Sequence, residues 1–519
     1  MAYFELYVGA WTEEEAAHLY RRAGFGGRPE EIAAMTEAGM EAAVQRLVDY
    51  EPVDQALEDK IAALRNLPDF ERIKNPQDHA ALQGWWLYRM VHTNQPLQEQ
   101  FTLFQHDHFV SEWGKVRDGV TSRVNAGTDG THERARCSGG SLAPDEDRRD
   151  KITARLLREQ NELLRQRGHG PFRDMLIAVT RDPAMLIYLD NKDNQKDRPQ
   201  ENYSRELMEL FSMGVGNYTE EDVREVAKAL TGETINTLCE NDYPYSYTFF
   251  APRHSRADKT VFGVTFNEFG RGADTEYVID LILHQVSRSG ISPFHDIYPA
   301  TAVYMAWKFI TWFIRADIPI DHPAVGELAE IFYNHQPNGY PYDVRETLRI
   351  LFSSDFFYAS ENRFRMYKNP VDFMVMALRV LDLIESDYTG EAADFLAHMG
   401  MELFNPPDVA GWKHGQTWIN SSSLLARFNY ANRLSHYSIL NRRIAFNLID
   451  NGEVTDENDH GGLIEYFRKR LIQQPLNSEE TAIFHQFLEG IPNSDNEAFR
   501  RKTAGLAHLM MTTPKYQQK

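Results

Sequence analysis

The segment from Tyr188 to Phe211 gathers Asp190, Asn191, Asp193, Asn194, Glu201, Asn202, Arg205, Glu206 and Glu209 within a few turns of chain. Pro199 suits a first helical turn, so the spacing predicts a helix from there to about Met213. At about 100° per residue, Asn202, Arg205, Glu206 and Glu209 share one face. Tyr203, Leu207, Leu210 and Phe211 form the opposite, core-facing arc. Carboxylates and amide oxygens collected this way can ligate a hard cation or serve as general acid and base. Glu206, Glu209, Arg205 and Asp190 are therefore candidate catalytic residues, and Asn191, Asn194 and Asn202 candidate hydrogen-bonding groups toward a substrate. The plainer reading is a solvated face of Glu–Arg pairs behind a polar turn. A calcium EF-hand is excluded: Asp190, Asn194 and Glu201 fit its spacing, but Lys192 replaces a ligand and Gln195 the turn glycine.

A second constellation is Gln105-His106-Asp107-His108-Phe109. In an extended strand the two histidines would share a face and one metal ion. On a helix they diverge by about 200°. A helix from Pro96 to about Trp113 sets His106 with Leu103, Phe109, Val110 and Trp113, and His108 with Phe101 and Phe104. Such surroundings favour satisfied core histidines, with at most one reaching the acidic stripe. As metal ligands, the candidates are His106, His108, Glu206 and Glu209, holding a divalent ion as cofactor.

The third is Asn405-Pro-Pro-Asp408-Val-Ala-Gly411-Trp412, followed by Trp418-Ile-Asn420. Two prolines and a glycine predict a rigid loop. Trp412 and Trp418 are candidate substrate-binding residues, able to stack a sugar ring, although plugging the core is the commoner job of an indole. His254, Asp258 and Lys259 form a polar cluster of low specificity. No phosphate-binding glycine loop, G-x-S-x-G elbow or H-E-x-x-H helix occurs.

The elements that must position these groups are mostly helical. Thr12 and Glu15 read as a capping box, and Pro29 and Thr219 as further helix starts. Apolar periodicity of helical spacing recurs over most of the chain. Between Thr231 and Phe266 the residues turn to β-formers and aromatics, predicting one or two hairpins. From about 117 to 149 the pattern gives way to Gly, Ser, Asp and Arg, as in an insertion. The expectation is all-α with a small β insert at about 231–266: a main helical domain over 1–436 and a C-terminal helical segment over 437–519.

The 519 residues are 42% hydrophobic and carry a formal charge of −21. So acidic a surface disfavours nucleic acid and anionic lipid as partners. Two cysteines, Cys137 and Cys239, cannot build a disulfide framework or a cysteine-ligated zinc site. No apolar run reaches the ~20 residues of a membrane helix, and no secretory leader is visible at the start. The compartment and the oligomeric state stay open.

Several stretches, in order along nearly the whole chain, carry a resemblance. They include Leu19-Tyr-Arg-Arg-Ala-Gly-Phe-Gly-Gly27, Thr102-Leu-Phe-Gln-His-Asp-His-Phe109, Arg181-Asp-Pro-Ala-Met-Leu-Ile-Tyr-Leu-Asp-Asn191, Glu201-Asn-Tyr-Ser-Arg-Glu-Leu-Met-Glu-Leu-Phe211, Lys368-Asn-Pro-Val371 and Pro406-Pro-Asp-Val-Ala-Gly-Trp412. Together they resemble the bacterial domain-of-unknown-function 1800 family. Gln105 stands where that family has a Trp, Met401 where it has a Gln, and the stretch at 117–149 is longer than usual. The resemblance implies a fold; members of the family often look exported, so the chain is either cytoplasmic or exported with its signal removed. The resemblance supplies no mechanism. The residues themselves favour a metal- or carboxylate-dependent hydrolase, with an envelope or extracellular glycan as substrate. The alternative is a non-catalytic binding or envelope-assembly protein with a buried ionic network.

Overall fold

The computed structural model of the chain describes residues 2–64, 68–120, 146–236, 245–267, 272–286, 294, 297–335, 341–382, 391–436, 448–449, 451–492 and 497–519. Most of the expected insertion at 117–149, together with Cys137 and Cys239, lies outside them.

Helices start where the sequence supplies acceptors for their unpaired first N–H groups. Thr12 and Glu15 close a capping box on Glu13–Ala23, Thr219 and Asp222 one on Glu220–Ala229, and Asn369 and Asp372 one on Pro370–Val380. The acidic helix is shorter than its periodicity suggests, running only from Asn202 to Glu209. Its entry is held open because the Asn194 Oδ1 accepts the Gln200 N–H at 3.0 Å, tying the preceding loop down instead of letting it wind. It unwinds at Gly214, whose φ of 78° lets its N–H turn back to the Met208 carbonyl.

The architecture is mainly α. Among the described residues there are two two-stranded antiparallel sheets. Glu233–Asn236 pairs with Ser246–Phe249, and Lys259–Val261 with Val264–Phe266. His254 and Lys259 both bind the buried Asp274, so that polar cluster fastens the hairpins to the helix Ala273–His284. No helix is long and apolar enough to cross a membrane among the described residues.

The helix Pro96–His108 is buried along its whole length. It packs on Glu13–Ala23, His79–His92 and Glu146–Arg167. A helix so enclosed must satisfy every polar side chain internally. Glu99 does so by accepting from Arg165 Nε at 2.7 Å and Nη2 at 2.9 Å and from the Trp86 indole at 2.9 Å. Burial pushes the Glu99 carboxyl up, but the Arg165 and Arg89 guanidinium groups outweigh it and hold it below its ordinary range. Phe101 and Phe104 pack against Phe309 and Phe313 of the neighbouring helix Ala300–Phe313. The two helices are thereby locked side by side, which fixes the position of the polar groups at their ends.

Candidate functional site

The acidic stripe divides. Asn202 is exposed, and Arg205 turns to the surface, where it grips Glu220 through two bonds of 2.7 and 2.8 Å. Asp190, in the left-handed conformation at φ 60°, takes Lys115 at 3.1 Å and Asn202 at 3.4 Å. Asn191 and Asn194 are buried and bond to each other at 3.0 Å, with Asn194 also donating to the Ala227 carbonyl at 2.9 Å. These asparagines hold the loop in shape and face no opening. Glu206 and Glu209 neighbour each other and both act on Tyr218. Glu209 accepts the Tyr218 hydroxyl. Glu206 is half-buried and makes no hydrogen bond or ion pair with a described residue. Burial, then the Glu209 charge, pushes its carboxyl above the ordinary range, against a smaller pull from Arg205.

Neither histidine reaches this pair. His106 packs between Trp86, Phe404 and Trp412, at ring-centroid distances of 5.0, 5.0 and 5.7 Å, and its Nε2 accepts the Phe404 N–H at 3.2 Å. The Nε2 of His108 donates to the Phe211 carbonyl at 3.1 Å. Burial pushes His106 down to about 4. Burial and then Lys308 push His108 down to about 3. Both rings are buried in the core, and among the described residues His106, His108, Glu206 and Glu209 do not come together as a ligand group. Trp412 and Trp418 are only 4% and 6% exposed, which leaves almost no indole face for a sugar.

The residue between the histidines is the one that matters. Successive side chains on a helix diverge by about 100°, so Asp107 leaves the helix in a direction of its own. It meets the proline loop. Its Oδ1 accepts the Trp412 N–H at 2.8 Å, and its Oδ2 stands 3.0 Å from His414 Nε2 as an ion-pair contact. The loop is shaped for this approach. At Gly411, with φ 84°, a Cβ would stand 2.5 Å from the Asp107 carbonyl and 2.6 Å from its Oδ1, so only glycine fits. The buried Asp107 carboxyl is pushed up by burial, but His414, Lys308 and the Trp412 N–H prevail and keep it low and ionised. An anionic acceptor at Nε2 fixes the tautomer with its proton there and leaves the Nδ1 lone pair of His414 free. The ring is 40% exposed and packs edge-on against Trp312 at 5.5 Å.

Two further groups join the acidic pair to this dyad. Tyr304 lies under the influence of both Asp107 and Glu209; burial first, and then these two charges, raise its hydroxyl pKa. Lys308, one turn further along the same helix, sits 5.7 Å from the Tyr304 ring centre, and its ammonium makes no hydrogen bond or ion pair with a described residue. Burial pushes its ammonium below the ordinary range, and Asp107 opposes that. On the outer side Tyr188 is pushed up to about 12 by burial and then by Glu112, Asp408 and Glu206. Glu206 and the proline loop thus act on one phenol.

The profile of the family described as "Protein of unknown function (DUF1800)" matches residues 18–126 and 145–518, most of the chain. The chain belongs to this family. No curated protein and no solved structure matches it. In this DUF1800 protein the groups that sequence spacing does not single out are Asp107, His414, Lys308, Tyr304 and Tyr218. Two had a visible signal. Lys308 is the only charged residue in the otherwise apolar run Ala-Thr-Ala-Val-Tyr-Met-Ala-Trp-Lys-Phe-Ile-Thr-Trp-Phe, and Asp107 stands inside the His-Asp-His triplet.

Proposed function

We propose that this DUF1800 protein is a hydrolase whose site is the cluster of His414, Asp107, Glu206, Lys308 and Tyr304. The observation that supports the reading is that Tyr304 lies under the influence of both Asp107, which meets His414, and Glu209, which neighbours Glu206. Asp107 holds His414 with a free Nδ1 lone pair, and Glu206 is a half-buried carboxyl biased toward its protonated form. His414 takes a proton from water, which attacks the substrate's electrophilic centre. Glu206 gives its proton to the leaving group and is then reprotonated through His414 or solvent. Lys308, an ammonium without an anion of its own, stabilises negative charge developing on the substrate. Arg205 and Asp190 act from outside, through surface ion pairs that set the field around Glu206.

With Trp412 and Trp418 buried, a glycan would have to be held by hydrogen bonds and not by indole stacking. The second reading is a non-catalytic binding protein, and one observation favours it: Asp107 fastens the loop through the Trp412 N–H as well as orienting His414. A panel of chromogenic esters, amides, phosphoesters and glycosides separates the two. Turnover should fall about 100-fold or more in Glu206→Gln and in His414→Ala, with both variants still folded. Turnover indifferent to both substitutions would exclude the hydrolase assignment for this cluster. Variants that only melt earlier, with no class of substrate hydrolysed, would favour the binding protein.

A further inference from the structure

Far along the chain, three ligand-type side chains meet where two helices near the C-terminal part pack together. His460 opens the helix His460–Phe467, behind an Asp459 cap whose Oδ1 takes the Gly462 N–H at 2.8 Å. His485 and Glu489 lie one turn apart on the helix Ser478–Glu489, hence on one face. The two helices are in contact. One ligand atom from each of the three side chains lies within 4.8 Å of the other two, the one such group of His, Cys, Asp and Glu among the described residues.

We propose that His460, His485 and Glu489 form a binding site for a divalent transition-metal ion of the zinc class, clipping the two helices together. Two imidazoles with one carboxylate suit zinc and its neighbours. Calcium and magnesium favour oxygen donors alone. Zinc–nitrogen bonds of about 2.0–2.1 Å place ligand atoms roughly 3.3 Å apart in a tetrahedron. The side chains must therefore draw closer by small rotations, which exposed Glu489 and the part-exposed histidines are free to make. Lys502 Nζ stands 3.0 Å from His460 Nε2. An incoming ion must displace that ammonium or bind at Nδ1, so Lys502 sets how tight the site is. Beside His485 lies a groove of about 480 Å³, lined also by Ile464, Leu476 and Thr481.

The test uses the full chain, stripped with a chelator and titrated with zinc chloride in a calorimeter at about pH 7.5. The expected result is one saturable equivalent and a higher melting temperature with zinc. Glu489→Gln and His485→Ala should each weaken binding by ~10-fold or more, and Lys502→Met should tighten it. Magnesium chloride should give no such binding. Absence of a saturable equivalent, or an equivalent whose affinity is unchanged in both Glu489→Gln and His485→Ala, would overturn the assignment. Glu489→Gln changes an exposed side chain, so it gives a reading even if His485→Ala does not fold. This site is independent of the hydrolase cluster, and either can fail alone.

Discussion

Glu206, the acid of the proposed site, differs in its surroundings from a structural side chain of the same type. Glu99 is fully buried yet rests on two guanidinium groups and an indole. Glu206 is only half-buried and rests on none. Its pKa is raised, so the protein carries an unfavourable charge once pH rises above the carboxyl's ordinary range near 4.3. The sign follows: that penalty is absent below the unfolded-state pKa and grows until pH passes the raised, folded-state value. Glu206→Gln should therefore melt slightly higher than the parent at pH 8 and equally at pH 3.5, as scanning calorimetry at the two pH values would show. A substitution that stabilises while abolishing turnover marks a group kept for chemistry. The sequence made Glu206 and Glu209 legible through helical periodicity alone. It concealed the Asp107, His414 and Lys308 group, because these residues come from three other elements and no local pattern joins them; Tyr304, acted on by both Asp107 and Glu209, links that group to the acidic pair. The histidines that drew attention at 106 and 108 are core residues because the helix carrying them is buried on all sides.

At the level of elements, local rules were readable wherever they depend on neighbours in sequence. The capping boxes at Thr12 and Thr219 form as the residues dictate. The β-rich stretch gives two hairpins. The late start of the acidic helix was not readable, since it depends on the side chain of Asn194. Asp182 offers a test of capping in a dry setting. It caps the short helix Pro183–Tyr188, accepting the Met185 N–H at 2.8 Å and Gln160 Nε2 at 2.7 Å. Burial pushes it up to about 7, despite those bonds. Asparagine keeps both acceptor roles without the charge. Asp182→Asn should thus gain stability relative to the parent as pH rises from about 4 to about 7 and hold that gain above it. Urea unfolding across this range checks the trend, and a gain that shrinks with rising pH would contradict it.

On the scale of the whole molecule, distant segments are joined by ionic contacts that no spacing rule reveals. Asp372 caps its own helix, accepts Gln100 Nε2 at 3.3 Å and pairs with Lys519. Around it lie the buried cations Arg22, Lys368 and Arg427. Backbone carbonyls and aromatic faces serve these in part: Lys368 lies 3.8 Å over the Tyr516 ring, and Arg427 4.9 Å over Phe373. Asp372 is the charge that balances them, so its loss leaves buried cations uncompensated. Asp372→Asn should cost about 3–5 kcal/mol in denaturant unfolding, whereas Arg205→Ala, at an exposed pair, should cost under ~1 kcal/mol. This frame holds the central helix, and the central helix in turn holds Asp107 against the proline loop.

The most direct measurement is the nitrogen-15 spectrum of the His414 ring. A proton on Nε2 and a bare Nδ1 are expected, an arrangement lost in Asp107→Asn. A ring protonated on Nδ1, or a spectrum indifferent to Asp107→Asn, would contradict the assignment of His414 as a base oriented by Asp107.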